Sequence, residues 1–425
     1  MNSNDNNNNN SNVNNIFCNA TLSIGNKSGT PDYVVSLGEL CSIDSIQSNI
    51  NTVSIPYNDR EEMDYTTTSA LYKLITNSNV TTLRHVQSLS MKLPDNLTCI
   101  SFDIHFNEPL TAGFLPASLK ILKLGPSFNQ VFGIGQLPNT LEELELNYRY
   151  NQPIQPGALP PSLKILKLNH LFKHELEVGS LPPKLEVLHY SGHDIVIKET
   201  GVLPNTLYTL TNAPVSWIAA IRLLPNIKGL KFYQNESVPI FDLDQLPPNL
   251  TRLSINTVNT TLKSRMPSTI THLNICYTNY DIDEIFPERS QYHFTKLILS
   301  GTKQDDISHL KIRELKLRFT GDDDDDVSLK LIKIPFGVKL LTLDSSLRID
   351  DPSSIPSSVT TITVAKPSSI KRLDLLPSTV KELITSEQGI NLLKEIIPSS
   401  IEKLIVSGSL TNIPNTYKSG CNDDQ

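Results

Sequence analysis

Between Leu93 and Pro204 the apolar residues fall into one phrase, written repeatedly at constant spacing. Leu115-Pro116-Ala117-Ser118-Leu119-Lys120-Ile121-Leu122-Lys123-Leu124 is one copy, and Leu137-Pro138 through Leu146 and Leu159-Pro160 through Leu168 are the next two. Pro94, Pro116, Pro138, Pro160, Pro182 and Pro204 stand 22 residues apart. Counted from each proline, apolar residues recur at the third, sixth and eighth following positions. Leu163, Leu166 and Leu168 follow Pro160 in this way, and Leu250, Leu253 and Ile255 follow Pro247. A fixed period of this length is the mark of a solenoid.

Leu-x-x-Leu-x-Leu alone fits a helix as well as a strand. Three features favour a strand. Each proline holds the apolar residue before it extended. Too little chain separates the prolines for two helices and their connections. Later copies carry β-branched residues in the same places, Val359-Thr360-Thr361-Ile362-Thr363-Val364 and Ile401-Glu402-Lys403-Leu404-Ile405-Val406, which suit a pleated, half-buried backbone. Burying three such side chains contributes about 5–8 kcal/mol at best. Ordering the backbone of one turn costs about 1–2 kcal/mol per residue, so no turn stands alone and stacking must supply the rest. The expected fold is therefore mainly β, an α/β solenoid of about 15 turns of 20–22 residues with a curved parallel sheet.

The period drifts after Pro204, passes through a degenerate stretch around Phe294–Leu299 and Ile312–Leu317, and re-forms at Pro335, Pro356, Pro377 and Pro398. No linker interrupts it, so residues 93–416 are expected to form one elongated solenoid domain. Residues 1–15, almost all Asn and Ser, and residues 417–425 are expected to be disordered tails. Residues 16–92 are looser. Ile50, Val53 and Ile55 imitate the strand phrase, as do Leu83 and Val86, and Asp59 to Ile75 has the spacing of a helix with Ala70, Leu71 and Leu74 inward. This segment is the candidate amino-terminal cap, or a set of divergent first turns.

The second half of the early turns reads Phe106-Asn107-Glu108-Pro109-Leu110, Phe128-Asn129-Gln130 and Tyr150-Asn151-Gln152-Pro153-Ile154, with Gly113, Gly135, Gly157 and Gly179 closing each turn. Together with the Leu-Pro phrase this closely resembles the FNIP repeat family, a relative of the leucine-rich repeats. The resemblance is specific over about Leu93 to Gly179, and from Phe172-Lys173 onward the Phe-Asn pair is lost. It implies a curved parallel solenoid used for protein binding, with no family-wide catalytic residues. Read from the residues themselves, Phe106, Phe128 and Tyr150 would point inward and stack. The amides of Asn107, Asn129 and Asn151 would form a ladder to unpaired backbone groups.

Composition narrows the function further. The net charge is −7, of which Asp322 to Asp326 supply five, leaving no basic face for nucleic acid. The five cysteines are scattered without paired spacing, as reduced thiols are. No signal-like start and no apolar run near the ~20 residues of a membrane span are present, so a cytoplasmic protein that does not contact membrane is the expectation. His170, His174, His189 and His193 form two pairs spaced by four, but no cysteine or placed carboxylate completes a metal set. No nucleophile–base pair or phosphate loop emerges by spacing, and no cofactor is implied.

In a parallel solenoid the residue between the last two inward positions faces the concave sheet. That rule selects Ser101, Lys123, Glu145, Lys167, His189, Thr211, Lys231, Ser254 and Asn274, then Lys316, Thr342 and Thr363. Lys123, Glu145 and Lys167 can neutralise one another as a solvated face, or form part of a partner-binding strip. Tyr148, Tyr150, Tyr190, Tyr233 and the lone Trp217 are the candidate aromatic anchors. The function expected is a non-enzymatic scaffold that binds a protein through its concave sheet or rim. The alternative is a substrate-recruiting subunit of a ubiquitin ligase, with residues 16–92 as a divergent adaptor.

Overall fold

Each Leu-Pro phrase folds into a tight turn and then a short strand. The leucine three residues after the proline donates its amide to the proline carbonyl: Leu119 to Pro116, Leu141 to Pro138 and Leu163 to Pro160, all at 3.1 Å. The strand that follows alternates half-buried and buried positions. The third, sixth and eighth residues after the proline are fully inside, as with Leu141, Leu144 and Leu146. The computed structural model describes residues 21–25, 31–36, 43–55, 63–169, 171–233, 238–257, 259–300, 306–318, 327–328, 333–344, 347–348, 352–364, 376–386 and 398–407. The two expected tails, His170 and Asp322–Asp326 lie outside the described residues.

The chain divides into two units, Met1–Leu207 and Tyr208–Gln425. The first contains β1 (Thr21–Gly25), β2 (Pro31–Ser36), β3 (Thr52–Ser54), α1 (Tyr65–Thr76), β4 (Thr82–Val86), β5 (Cys99–Phe102), β6 (Ile121–Lys123), β7 (Glu143–Leu146), β8 (Ile165–Leu168) and β9 (Val187–Tyr190). From β3 to β9 each strand pairs in parallel with the next. β1 instead runs antiparallel to both β2 and β3. α1 starts one residue after Asp64, whose carboxylate accepts the Thr67 amide at 2.8 Å, a side-chain cap of the kind that fixes helix starts. Its buried face is Leu71, Tyr72 and Ile75, with Ala70 and Leu74 only half-buried. The inward stripe is thus rotated from the Ala70–Leu71–Leu74 expectation, because Leu71 and Ile75 pair one turn apart and bring Tyr72 in beside them.

The second unit contains β10 (Thr209–Ala213), α2 (Ile218–Ile221), β11 (Gly229–Tyr233), β12 (Ile240–Asp242), β13 (Arg252–Asn256), β14 (Thr261–Lys263) and β15 (His272–Asn274). It continues with α3 (Ile282–Ile285), β16 (His293–Ser300), β17 (Lys311–Arg318), β18 (Val327–Ser328), β19 (Leu340–Asp344), β20 (Leu347–Arg348), β21 (Thr361–Val364), β22 (Glu382–Ser386) and β23 (Lys403–Ser407). The main parallel ladder runs β10, β11, β13, β15, β16, β17, β19, β21, β22, β23. β12 pairs with β14, and β18 with β20, as small separate ladders. Each unit is a mainly β, parallel-sheet solenoid. Where the Phe-Asn pair is missing, the back of the turn is built from other pieces: a 3-10 turn at Val215–Trp217 leading into α2, the β12–β14 pair, and α3. Trp217, Phe241, Phe286 and Tyr292 fill the space behind them.

Candidate binding surface on the sheet

Three ladders hold the turns of the first unit in register, and so set the spacing of whatever the sheet displays. The rings of Phe106, Phe128, Tyr150 and Phe172 lie parallel within a few degrees, with centroids 5.9, 6.2 and 6.3 Å apart. Tyr190 ends the stack edge-on, at 86° to Phe172. Beside the rings, the Asn107 side-chain oxygen accepts the Asn129 amide, and that of Asn129 accepts the Asn151 amide, both at 2.8 Å. Asn151 accepts the Lys173 amide at 3.3 Å, so the ladder extends one rung past the last Phe/Tyr-Asn pair.

The third ladder was not singled out from the sequence. The residue two after the proline carries a hydroxyl in most early turns, and it donates to carbonyls of the preceding turn. Ser118 reaches Asp95 and Leu97 at 2.7 and 2.6 Å. Thr140 reaches Ala117 and Leu119 at 2.7 and 2.9 Å, and Ser162 and Thr206 repeat the pattern. The signal was present as a small hydroxyl at a fixed offset from Pro116, Pro138, Pro160 and Pro204. Lys184 breaks it, and Ser and Thr are too common on surfaces to stand out by type.

The solvent side of the first sheet carries two columns. Ser101, Lys123, Glu145, Lys167 and His189 stand opposite one another strand by strand, as do Cys99, Ile121, Glu143, Ile165 and Val187. All are half-buried. Lys167 bonds Glu143 at 2.9 Å and Glu145 at 3.1 Å, while Lys123 stands 3.6 Å from Glu145. Burial works against the Lys167 ammonium, but its two carboxylates outweigh it and raise the pKa. At the strand entrance a more exposed trio repeats the pattern, Glu142 bonding Lys120 at 2.8 Å and Lys164 at 2.9 Å. Those two ammonium groups hold the Glu142 carboxyl down at about 2. Burial raises the Cys99 thiol, against the opposing pull of Lys123 and Arg84.

In the second unit Thr211, Lys231, Ser254 and Asn274 form one column and Lys316, Thr342 and Thr363 continue it. The expected aromatic anchors fare differently. Trp217 is fully buried in the 3-10 turn behind the sheet; it is a core residue and not part of the sheet face, because Pro214 starts a helical turn that folds the indole inward. Tyr150 and Tyr190 are also buried, and desolvation raises both hydroxyl pKa values. The Tyr190 hydroxyl donates to the His193 carbonyl. Tyr148 is 55% exposed just beyond β7, and the Tyr233 side chain lies outside the described residues. His174 bonds the Asn151 carbonyl at 3.1 Å and meets Phe172 edge-on, which assigns it to the back of the turn, whereas His189 faces solvent on the sheet.

Turns stitched by backbone-directed side chains under a parallel sheet make a solenoid whose fold is leucine-rich-repeat-like. Residues 87–189 carry FNIP repeats: the FNIP Repeat family model matches residues 87–125, 106–149 and 150–189. No curated protein matches the sequence. Among solved structures the chain is similar to CroV588, a circular leucine-rich-repeat protein, at 21% identity and a TM-score of 0.50, covering 85% of this chain and 51% of that one. It is also similar to TLR13 from a complex with the RNA ssRNA13 (16% identity, TM-score 0.43, 79% and 60% covered). A third similarity is to an internalin of Listeria monocytogenes (12%, TM-score 0.30, 88% and 89%). The chain spans about half the length of the circular protein, and that likeness is one of fold.

Proposed function

We propose that this chain is a non-enzymatic scaffold that binds a protein partner through the solvent side of its sheet or the adjoining rim. The observation that carries the reading is the construction of the sheet face. Half-buried Ile121, Ile165 and Val187 alternate with charged side chains at the strand spacing of roughly 5 Å. The rigid rings and amides lie behind that face. Such a platform is preorganised, so a partner that docks on it orders few protein side chains. Tyr148 stands at the rim as an exposed aromatic anchor. We read residues 16–92 as the cap, supported by the antiparallel β1–β2 hairpin laid against the first parallel strand, β3.

The test is affinity purification of the full chain from its native cell beside the triple variant Lys123→Glu, Glu145→Lys, Lys167→Glu. Loss of a specific protein by a variant that remains folded is the expected result. Equal recovery by this variant, by Tyr148→Ala and by changes on the second sheet would overturn the reading.

A further inference from the structure

One part of the second sheet is hollow. Strand register aligns Gly229, Arg252, His272 and Lys296 in one column. Lys231, Ser254 and Asn274 align in the neighbouring column. Gly229 has no side chain and Ser254 and Asn274 have short ones, while Lys231, Arg252 and Lys296 are long. The result is a recess of about 300 Å³, at the small end of the roughly 300–1,000 Å³ typical of ligand pockets.

Its charge is unlike that of the first sheet. There Lys123 and Lys167 are balanced by Glu143 and Glu145. Around the recess Lys296 bonds Glu314, whereas Lys231 and Arg252 have no ion-pair partner among the described residues. Like-charged neighbours on adjacent strands destabilise a sheet, and an anion seated between them offsets that repulsion. His272 adds no further charge near neutral pH: burial and then Arg252 lower its pKa, against Glu314. Its Nδ1 lies 3.0 Å from the Thr271 hydroxyl.

We propose that this recess is a subsite for an aspartate or glutamate side chain of a protein partner, with Arg252 forking the carboxylate and Lys231 and Lys296 flanking it. The proposal rests on the scaffold reading and adds the chemistry of the partner. A peptide carboxylate fits better than a nucleic-acid backbone. The column of Arg252, His272 and Lys296 meets a carboxylate, Glu314, on the next strand, whereas a phosphate track needs a continuous basic stripe, and the chain as a whole carries −7. Planar, two-point recognition of a carboxylate is the particular strength of arginine.

Fluorescence anisotropy on the full chain at low salt tests this, with labelled hexaglutamate, labelled hexaglutamine and a short oligothymidylate as probes. Hexaglutamate is expected to bind and hexaglutamine not to. Arg252→Ala, an exposed change that leaves the core intact, should weaken binding about tenfold or more, because a charge-assisted pair is lost. Lys231→Ala should weaken it less, and Lys123→Ala in the first unit should have no effect. Gly229→Leu should block the recess without changing charge, though its Cβ comes 3.2 Å from the Thr209 hydroxyl, so its melting curve is checked against wild type. Equal hexaglutamate binding by wild type and Arg252→Ala overturns the proposal, as does tighter oligothymidylate binding lost in the same variants. A protein partner captured equally by Arg252→Ala removes the subsite and leaves the scaffold reading standing. Recess-dependent peptide binding without any face-dependent protein partner does the reverse.

Discussion

The hydroxyl of Thr140 shows how a small side chain fixes the spacing of the array. It donates to the Ala117 and Leu119 carbonyls of the preceding turn, groups that the tight turn leaves without strand partners. Thr140→Val keeps the shape and removes the donor, and an orphaned carbonyl costs about 1–3 kcal/mol when it is buried. A fall in the denaturant midpoint with unchanged slope is expected. Lys184→Thr, at an early turn lacking the hydroxyl, should raise stability by about 0.5–1.5 kcal/mol. A different residue-scale test concerns Glu142. Its folded pKa of about 2 lies below its ordinary value of 4.5, so its contribution to stability is present above about pH 4.5 and is lost as pH falls toward 2. The group is open to solvent, and the useful measurement is the titration midpoint by carboxyl NMR. It should sit near 2 in the native chain and return toward 4.5 in the Lys120→Ala, Lys164→Ala double variant. A midpoint that stays low without the two lysines would mean that the ammonium groups are not the cause.

At the scale of one turn, ring and amide act together. The Asn129 side-chain oxygen accepts both the Asn151 amide, at 2.8 Å, and the Gln152 side chain, at 3.2 Å. Asn129→Leu therefore strands a backbone N–H beside the Phe128–Tyr150 stack, and a loss of about 1–3 kcal/mol is expected from calorimetry or denaturant titration. Phe128→Ala opens a cavity between two parallel rings and should cost more, about 3–5 kcal/mol. These positions were legible because Phe106, Phe128 and Tyr150 recur at one spacing, so counting alone makes them neighbours. Trp217 was not legible in the same way. It lies where the repeat is interrupted, and only the 3-10 turn after Pro214 decides that its ring goes inward. The hollow at Gly229 was hidden for a related reason. The rule of one sheet-facing side chain per turn selects Lys231, Ser254 and Asn274 but not the column of Gly229, Arg252, His272 and Lys296. Uneven turn lengths in that region put their alignment beyond counting from proline.

Over the whole chain, energy is shared between neighbouring turns and no turn is self-sufficient. Leu144 lies fully buried in β7, whose backbone is hydrogen-bonded to β6 on one side and β8 on the other. Leu144→Ala should cost about 2–5 kcal/mol, and the pattern of the loss is more informative than its size. In a stack where each repeat contacts only its neighbours, the loosening should be largest in β7, smaller in β6 and β8, and small by β4. Amide hydrogen exchange resolves this strand by strand, because local opening is read directly at each N–H. A decay along the first unit is the expected outcome. Uniform acceleration across β4 to β9 would show instead that the unit opens as one cooperative block, with the rings and amides coupling turns beyond their nearest neighbours. The sheet face would then behave as a single rigid plate, and Lys123, Glu145 and Lys167 would present themselves to a partner all together or not at all.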